Sequence, residues 1–293
     1  MPLRLPKMRP EVMNTLDLGD LGSDTMLVFG GPYSNLAATA AMRAKAQSLG
    51  IPAKQIICTG DLVAYCGEPA ETVELLRDWG IAVVMGNCEE SLAFDASDCG
   101  CGFDEGSACS VLSVTWYRYA TARVNQQQRQ WMAELPRAID FRFAGFRFKV
   151  VHASVSSINQ FVFESDSITD KQSQISQAQV DVIIGGHSGI PFGQKNGDQS
   201  WLNAGVIGMP ANDGTPDVWY MLLEANDSGF SASWHRLSYD VEQSSRSTSS
   251  AGMTEYARAL SDGLWPNMDV LPEAERQQQG LALQPQPLTM LRT

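Results

Sequence analysis

Strand and helix patterns alternate over the first part of the chain. Short apolar runs typical of strands occur in TMLVFGG, QIICTGD and IAVVMGN. The helical patterns NLAATAAMRAKAQSLG and EPAETVELLRDWG separate them, and each ends in a glycine. Strands that alternate with helices predict parallel crossovers and a sheet covered by helices. Because ligands bind beyond the carboxyl ends of the strands in such sheets, we expect the ends of these three strands to meet at one site.

From residue 139 onward the pattern becomes mostly β, after two helical segments, SVLSVTWYRYATARV and NQQQRQWMAELP. IDFRFAGFRFKVVHAS predicts a hairpin, and VDVIIGGHSG, QSWLNAG, DVWYMLLEA and FSASWHRLSY continue the strands. EQSSRSTSSAG is typical of a polar linker, and MTEYARALSDG is a candidate helix. We therefore predict one domain over residues 24–240, and a polar linker, a candidate helix and a flexible C-terminal tail over residues 241–293.

Four polar side chains each follow an apolar strand, in the order Asp61, Asn87, His152 and His187. One carboxylate, one amide oxygen and two imidazoles form a ligand set that suits Mn²⁺, Fe²⁺ or Zn²⁺. Each of them alone also has a structural explanation, because Gly-Asp and Gly-Asn are common turn dipeptides and a single histidine is more often a structural residue. The four endings together predict a metal site.

In order and spacing, these motifs resemble the calcineurin-like metallophosphoesterase family, in the bacterial branch related to diadenosine-tetraphosphatase-like enzymes and small phosphodiesterases. The resemblance is carried by GGPYSNL, TGDLVAYCGEP, MGNCEE, VVHAS and GGHSGIPF, and it extends from about Met26 to Leu237. It implies an α/β fold with mixed sheets, arranged as the four-layer α-β-β-α sandwich of metallo-dependent phosphatases. It also implies that the four polar side chains form the second of two metal sites, in which the aspartate ordinarily bridges both metals.

The first metal site departs from the family pattern. Its aspartate aligns with Gly31, its first histidine with Tyr33, and its last histidine with Gly189. We therefore expect one divalent transition metal (Mn, Fe or Zn) in place of two. The family often has a leaving-group histidine directly after Asn87, where this chain has Cys88. The resemblance thus makes Cys88 and Tyr33 the candidate catalytic residues.

The stretch GGPYSN begins the altered half of the site. Gly30 and Gly31 free the backbone to turn its amides inward, and Ser34 is expected to cap the next helix. The N-terminus of that helix carries roughly half a positive charge. We predict that these residues, together with Asn35, bind a phosphate oxygen where the metal is lost. For Tyr33 we favour two interpretations over a phenolate metal ligand: a hydrogen-bond donor to the substrate, or a ring packed over an unused pocket.

Four of the six cysteines, namely Cys88, Cys99, Cys101 and Cys109, lie close together in the sequence. The spacing of Cys99 and Cys101 is tighter than that of structural zinc knuckles. Buried, reduced cysteines are the simplest interpretation. Two alternatives stay open: the four form a thiolate cluster, or the loop lines the cleft, where Cys99, Cys101 or Asp104 replaces a lost ligand.

Composition limits the partners. The net charge is −12, with the acidic residues scattered, and such a charge repels nucleic-acid backbones. The sequence lacks both an apolar run of about 20 residues and the apolar core of a signal peptide, so we expect a cytoplasmic protein without a membrane partner. A small phosphorylated ligand or substrate is expected, and a protein partner is left open.

Three functions follow from these observations. The first is a metal-dependent phosphoester hydrolase, either a phosphodiesterase or a phosphatase, with an atypical mononuclear site. The second is a catalytically weak relative that binds a nucleotide or phosphorylated ligand and acts as a regulatory protein. The third is a scaffold whose cysteine loop is a metal or redox site.

Overall fold

A computed structural model of the chain describes residues 14–102, 106 and 108–292, without the side chains of residues 108–110. Its strands form two six-stranded mixed sheets. The first sheet contains, in spatial order, β1 (Thr15–Asp20), β5 (Ala138–Phe143), β6 (Phe146–Val151), β7 (Val182–Gly185), β9 (Gln199–Asn203) and β8 (Phe192–Asn196). The second contains β12 (Leu288–Leu291), β11 (Gly229–Leu237), β10 (Val218–Asn226), β2 (Met26–Phe29), β3 (Ile56–Cys58) and β4 (Ala82–Val83).

The described residues form nine α-helices, some of which pack on the outer faces of the two sheets. They are α1 (Leu36–Ser48), α2 (Pro69–Trp79), α3 (Asn87–Ala93), α4 (Ala108–Thr121), α5 (Gln126–Ala133), α6 (Ile168–Ala178), α7 (Val241–Ser250), α8 (Thr254–Asp262) and α9 (Glu273–Arg276). In the described part of the chain, no helix combines the length and the apolar character that a membrane crossing requires.

The two-residue period of β2 shows how the layers are held together. Met26 and Val28 lie in the core between the two sheets, whereas Leu27 and Phe29 lie in a second core shared with α1 and α2. Ile183 of β7 lies in a third core with Ile175 of α6. Strands that are buried on both faces need continuous apolar runs, as these sequences have. The predicted mixed α/β fold with α-β-β-α layers is confirmed.

Parallel pairing brings the predicted strand ends together. β2 pairs in parallel with β3, and β3 with β4. In the first sheet β6 pairs in parallel with β7. The loops that follow these strands therefore leave each sheet at the carboxyl ends of its parallel strands, and the site lies there.

The segment expected to be a linker and a mobile tail is ordered. Residues 241–250 form α7, whose N-terminus is capped by Asp240 and whose Ser244 hydroxyl donates to Asn35 before α1. Near the C-terminus β12 pairs with β11, with Leu288 opposite Ala232. The linker and the tail were thus wrong predictions. Their polar sequences gave no local signal for structure, because tertiary contacts stabilise these elements.

Candidate functional site

The four predicted ligands meet beyond the carboxyl ends of strands from both sheets. Asp61 follows β3, and Asn87 opens α3 after β4. His152 follows β6, and His187 follows β7. The second sheet therefore contributes the oxygen ligands and the first sheet contributes the imidazoles. All four side chains are buried.

The distances within this cluster fit a metal ion. Nε2 of His152 lies 3.1 Å from Nδ1 of His187, 3.1 Å from Oδ1 of Asn87 and 3.2 Å from Oδ2 of Asp61. Ligand atoms arranged tetrahedrally around a metal at about 2.1 Å are about 3.4 Å apart. Among the described residues, Asp61, His152 and His187 form the only group of three or more His, Cys, Asp or Glu side chains with such spacing.

A backbone carbonyl orients the imidazole of His152. Its Nδ1 lies 2.7 Å from the carbonyl oxygen of Thr59, so Nδ1–H donates to that oxygen. The lone pair of Nε2 then faces the cluster. Outer hydrogen bonds of this kind fix the tautomer and the direction of metal-binding histidines. The donor set is therefore chemically ready for a divalent transition metal.

Glu89 holds the loop that carries Asp61. Its buried carboxylate accepts hydrogen bonds from the amides of Asp61 and Leu62, both at 2.8 Å, and of Gly86 at 3.0 Å. Asp61 has a φ of 55°, a left-handed conformation that residues with a side chain seldom adopt. Glu89 is not among the site residues predicted from the sequence. A signal was present, because a glutamate three residues after a helix N-cap is typical of a capping box.

Burial and mutual contact set the charges in the cluster. Burial alone raises the pKa of Asp61, but the charge of His152 and the hydrogen bonds of both histidines outweigh it and hold that pKa below its usual range. Burial, followed by the charge of Asp61, raises the pKa of Glu89 to about 7. Burial lowers the pKa of His187. The site thus places an ionised carboxylate beside a neutral imidazole, which favours a bound cation.

The altered half of the cleft differs in chemistry, as the sequence predicts. Gly31, Tyr33 and Gly189 supply neither a carboxylate nor an imidazole. Tyr33 is 5% exposed, and its ring centroid lies 4.7 Å from that of Tyr65. The burial of Tyr33 and its contact with Tyr65 therefore agree with the packing interpretation. Its role toward a substrate stays a prediction.

The amides expected to hold a phosphate oxygen are already bonded. Gly30 donates to the carbonyl of Gly205, Gly31 to that of Gly60, Tyr33 to that of Asp61, Ser34 to that of Leu62 and Asn35 to that of Pro32. The sequence shows the glycines but not the neighbouring loops that accept these bonds. An inward-facing nest of free amides was therefore a wrong prediction.

The cap of α1 also differs from the prediction. Asn35, and not Ser34, is the N-cap, since its Oδ1 accepts from the amide of Ala38 at 3.1 Å. The same oxygen accepts from Ser244 at 2.7 Å, and Asn35 Nδ2 donates to the carbonyl of Gly208. Both Ser34 and Asn35 are buried. These contacts make Asn35 a structural link between α1 and α7.

The cysteine loop contacts the cluster through Asn87. Asn87 Nδ2 donates to the carbonyl of Cys99 at 2.9 Å and lies 3.4 Å from Sγ of Cys101. The sulfurs of Cys99 and Cys101 are bonded in a disulfide. The expectation that these two cysteines are reduced was therefore wrong. Asp104 and the side chain of Cys109 lie outside the described residues. The loop therefore packs against the cluster, but Cys99 and Cys101 are joined to each other and do not replace a lost metal ligand.

Cys88 is nearly inaccessible. It is 1% exposed, and its amide lies 3.3 Å from Oδ1 of Asp61. Burial, followed by the charges of Asp61 and Glu89, raises the pKa of its thiol well above the usual range. Cys88 is thus a neutral thiol in this structure. Its role beside a leaving group stays a prediction.

Three comparisons place this geometry among known proteins. The chain is 26% identical over 228 residues to an uncharacterized protein of Methanocaldococcus jannaschii, covering 72% of this chain and 86% of that one. A metallophosphoesterase of Sphaerobacter thermophilus has a similar fold, with a TM-score of 0.62 and 20% identity over 81% of this chain and 99% of that one. A hypothetical protein of Pyrococcus horikoshii OT3 gives a TM-score of 0.69 and 13% identity over 82% of this chain and 99% of that one.

The family profile covers all four predicted ligands. The profile of the calcineurin-like phosphoesterase superfamily domain matches residues 23–228, which is most of the chain. This match supports metal-dependent phosphoester hydrolysis at the level of the family, and the ligand cluster supplies a metal site for it. The chain belongs to the calcineurin-like phosphoesterase superfamily.

Proposed function

We propose that the protein is a metal-dependent phosphoester hydrolase that uses a single divalent transition metal and prefers diesters to monoesters. The observation that carries this proposal is a complete ligand cluster beside a half-site without ligands. Asp61, Asn87, His152 and His187 would hold the metal. When bound, it supplies Lewis-acid stabilisation of a phosphoryl oxygen.

The chain's own residues prepare the cluster for this task. The carbonyl of Thr59 directs Nε2 of His152 toward the site. Glu89 fixes the left-handed turn at Asp61. Because these outer contacts are buried, the ligand atoms keep their positions before a substrate arrives, and such preorganisation lowers the barrier to reaction.

Charge supports the preference for diesters. A monoester dianion brings more negative charge than a diester monoanion, and the altered half of the cleft offers no cation to balance it. The described part of the cavity wall that includes Tyr33 and Gly189 contains no lysine or arginine. The protein as a whole carries a net charge of −12. A single metal therefore has less negative charge to balance in a diester than in a monoester.

The test compares bis(4-nitrophenyl) phosphate with 4-nitrophenyl phosphate in the presence of Mn²⁺. We expect kcat/KM for the diester to exceed that for the monoester by about tenfold or more, which equals about 1.4 kcal/mol. Asn87→Ala is expected to lower the diester rate by about 10–100-fold because it removes a ligand. Rapid monoester turnover, with two metals per chain, would contradict the mononuclear proposal.

The same experiment separates this function from the alternative regulatory role. If neither ester is cleaved, yet a nucleotide raises the melting temperature, the protein binds phosphorylated ligands without hydrolysing them. The three missing ligand positions, Gly31, Tyr33 and Gly189, are the observation that keeps this second function in view.

A further inference from the structure

A cavity opens beside His187, on the side of the cleft where the metal ligands are missing. About 70 Å³ of it can hold water-sized groups, which is room for a few water molecules or one small ring. Tyr33 and Gly189, two of the three altered ligand positions, lie on its wall. The space beside the ligand cluster has therefore become a pocket with different chemistry.

Aromatic side chains dominate this wall, namely Tyr33, Tyr65, Phe161, Tyr256 and Trp265. Their positions are fixed by contacts with one another and with the backbone. The ring centroid of Tyr65 lies 4.7 Å from that of Tyr33 and 4.8 Å from that of Tyr256. Nε1 of Trp265 donates to the carbonyl of Pro210 at 2.7 Å. The pocket is thus preformed, and part of it comes from the segment after residue 240.

Among the described residues of the wall there is no Asp, Glu, Lys or Arg. Its aliphatic part includes Val206, Met209 and Val270. A phosphate group entering this pocket would lose its hydration without gaining an opposite charge. A flat, uncharged ring loses little hydration and stacks on planar side chains. The chemistry of the wall therefore selects an aromatic group.

One side chain belongs to both the pocket wall and the ligand cluster. The imidazole of His187 forms part of the wall, and its Nδ1 lies 3.1 Å from Nε2 of His152. A ligand in the pocket is therefore about one ring width from the metal position. We propose that this cavity binds a flat, uncharged aromatic substituent of the phosphoester whose phosphorus lies at the ligand cluster. The inference rests on the proposed function and names its substrate class.

Equilibrium binding tests the subsite without relying on turnover. Methyl phenylphosphonate and methyl methylphosphonate carry the same charge and differ in the ring. Titration calorimetry of the Mn²⁺-loaded full chain is expected to show about tenfold or tighter binding of the phenyl compound, since the ring buries apolar surface.

Two variants localise this preference. Val270→Trp fills the cavity and is expected to reduce the preference below about twofold while the bound Mn²⁺ per chain stays unchanged. Val111→Trp, at a position that is 63% exposed on α4, adds the same bulk elsewhere and retains the preference. Tyr256→Leu removes part of the wall and is expected to lower the preference as well.

The outcomes separate this inference from the proposed function. Equal affinity for the two phosphonates, or a preference that persists in Val270→Trp, overturns the aromatic subsite. Ester hydrolysis without a ring preference rejects the subsite alone. A ring preference that Val270→Trp removes, in a protein that hydrolyses no ester, supports the subsite and rejects the hydrolase.

Discussion

Asp61 and Tyr33 lie on adjacent loops of one sheet and share an unusual backbone. Their φ values are 55° and 48°, and both side chains are buried. The amide of Tyr33 donates to the carbonyl of Asp61 at 3.2 Å, so the two loops are joined directly. Asp61 faces two imidazoles, whereas Tyr33 faces the ring of Tyr65.

This contrast shows that loop geometry and metal chemistry are separable. Left-handed turns persist at both positions, although only one of them presents a ligand. The backbone hydrogen bonds between the loops, and those to Glu89, hold the turns. The same scaffold therefore supports a polar cluster on one side and an aromatic pocket on the other.

The largest expected difference between the two halves is in metal binding. Asp61→Ala removes a ligand and is expected to weaken Mn²⁺ affinity by at least about 100-fold. Tyr33→Phe, on the aromatic side, keeps the ring and is expected to leave metal content unchanged. Elemental analysis after dialysis measures both variants. A loss of metal in Tyr33→Phe would show that the phenol belongs to the metal site and would break the comparison.

The next effect concerns the carboxylate that holds the Asp61 turn. Glu89→Gln replaces an acceptor-only group with one that carries an NH₂, so buried backbone amides lose acceptors. We expect a loss of about 2–4 kcal/mol in the free energy of unfolding, from one or two unsatisfied buried groups. Urea denaturation of the metal-free protein measures it.

Glu90→Gln is the matched control for this prediction. Glu90 is a partly exposed residue on the same helix, and its carboxylate pairs with Arg137. Loss of a pair near the surface is expected to change stability by less than about 1 kcal/mol. Equal destabilisation by both variants would mean that Glu89 is not specially involved in the turn.

A third pair of variants probes space in the altered half. Gly31 and Gly189 both have positive φ, at 38° and 72°. A Cβ at Gly31 would lie 2.5 Å from Cζ of Tyr33 and 2.7 Å from Cγ1 of Val206, whereas one at Gly189 would lie no closer than 3.6 Å to Val206. Gly189→Ala therefore adds only backbone strain, about 1 kcal/mol. Gly31→Ala adds overlap and is expected to cost about 1–3 kcal/mol more.

Denaturant midpoints of the two alanine variants test this difference. If Gly31→Ala is no less stable than Gly189→Ala, the ring of Tyr33 moves freely and the pocket is not preformed. That result would weaken the contrast between a rigid aromatic half and a rigid polar half.

The cluster of candidate ligands was predictable because its signal is local. A strand followed by glycine and a polar residue recurs at Asp61 and Asn87, and the parallel sheet brings such ends together. The aromatic pocket was not predictable in this way. Tyr256 and Trp265 lie in a segment whose sequence resembles an ordinary surface helix and loop, and only tertiary packing brings them to Tyr65 and Pro210.

Glu89 and α7 also depend on contacts with residues that are distant in the sequence. The capping pattern in MGNCEE is visible in the sequence, but the amides of Asp61 and Leu62 that Glu89 also accepts from are on another loop. The serine-rich sequence of α7 has weak helix propensity, and its Ser244 contact to Asn35 is far away in the chain. Non-local partners decide both features, and a single sequence does not contain them.

The smallest expected effect on stability comes from an ion pair outside the cleft, which serves as a reference for the buried contacts of the site. Asp181 binds the guanidinium of Arg147 at 2.8 Å and accepts from the Arg147 amide. Burial raises the pKa of Asp181, but the hydrogen bonds from Arg147 outweigh it, so that pKa is lowered. A carboxyl group whose pKa is lower in the folded state stabilises the protein above its unfolded pKa of about 3.9. That stabilisation is lost as the pH falls through the folded pKa.

Asp181→Asn is therefore expected to lower stability at pH 7 by less than about 1 kcal/mol, since solvent screens this partly exposed pair. The difference from the unmodified protein should shrink below pH 4, as the carboxyl group takes up a proton. Urea denaturation of the metal-free protein at pH 7 and at about pH 3 measures both values. If this surface pair proves as important as Glu89, the buried hydrogen bonds of the polar half are not what holds the Asp61 turn, and the contrast between the two halves needs another physical cause.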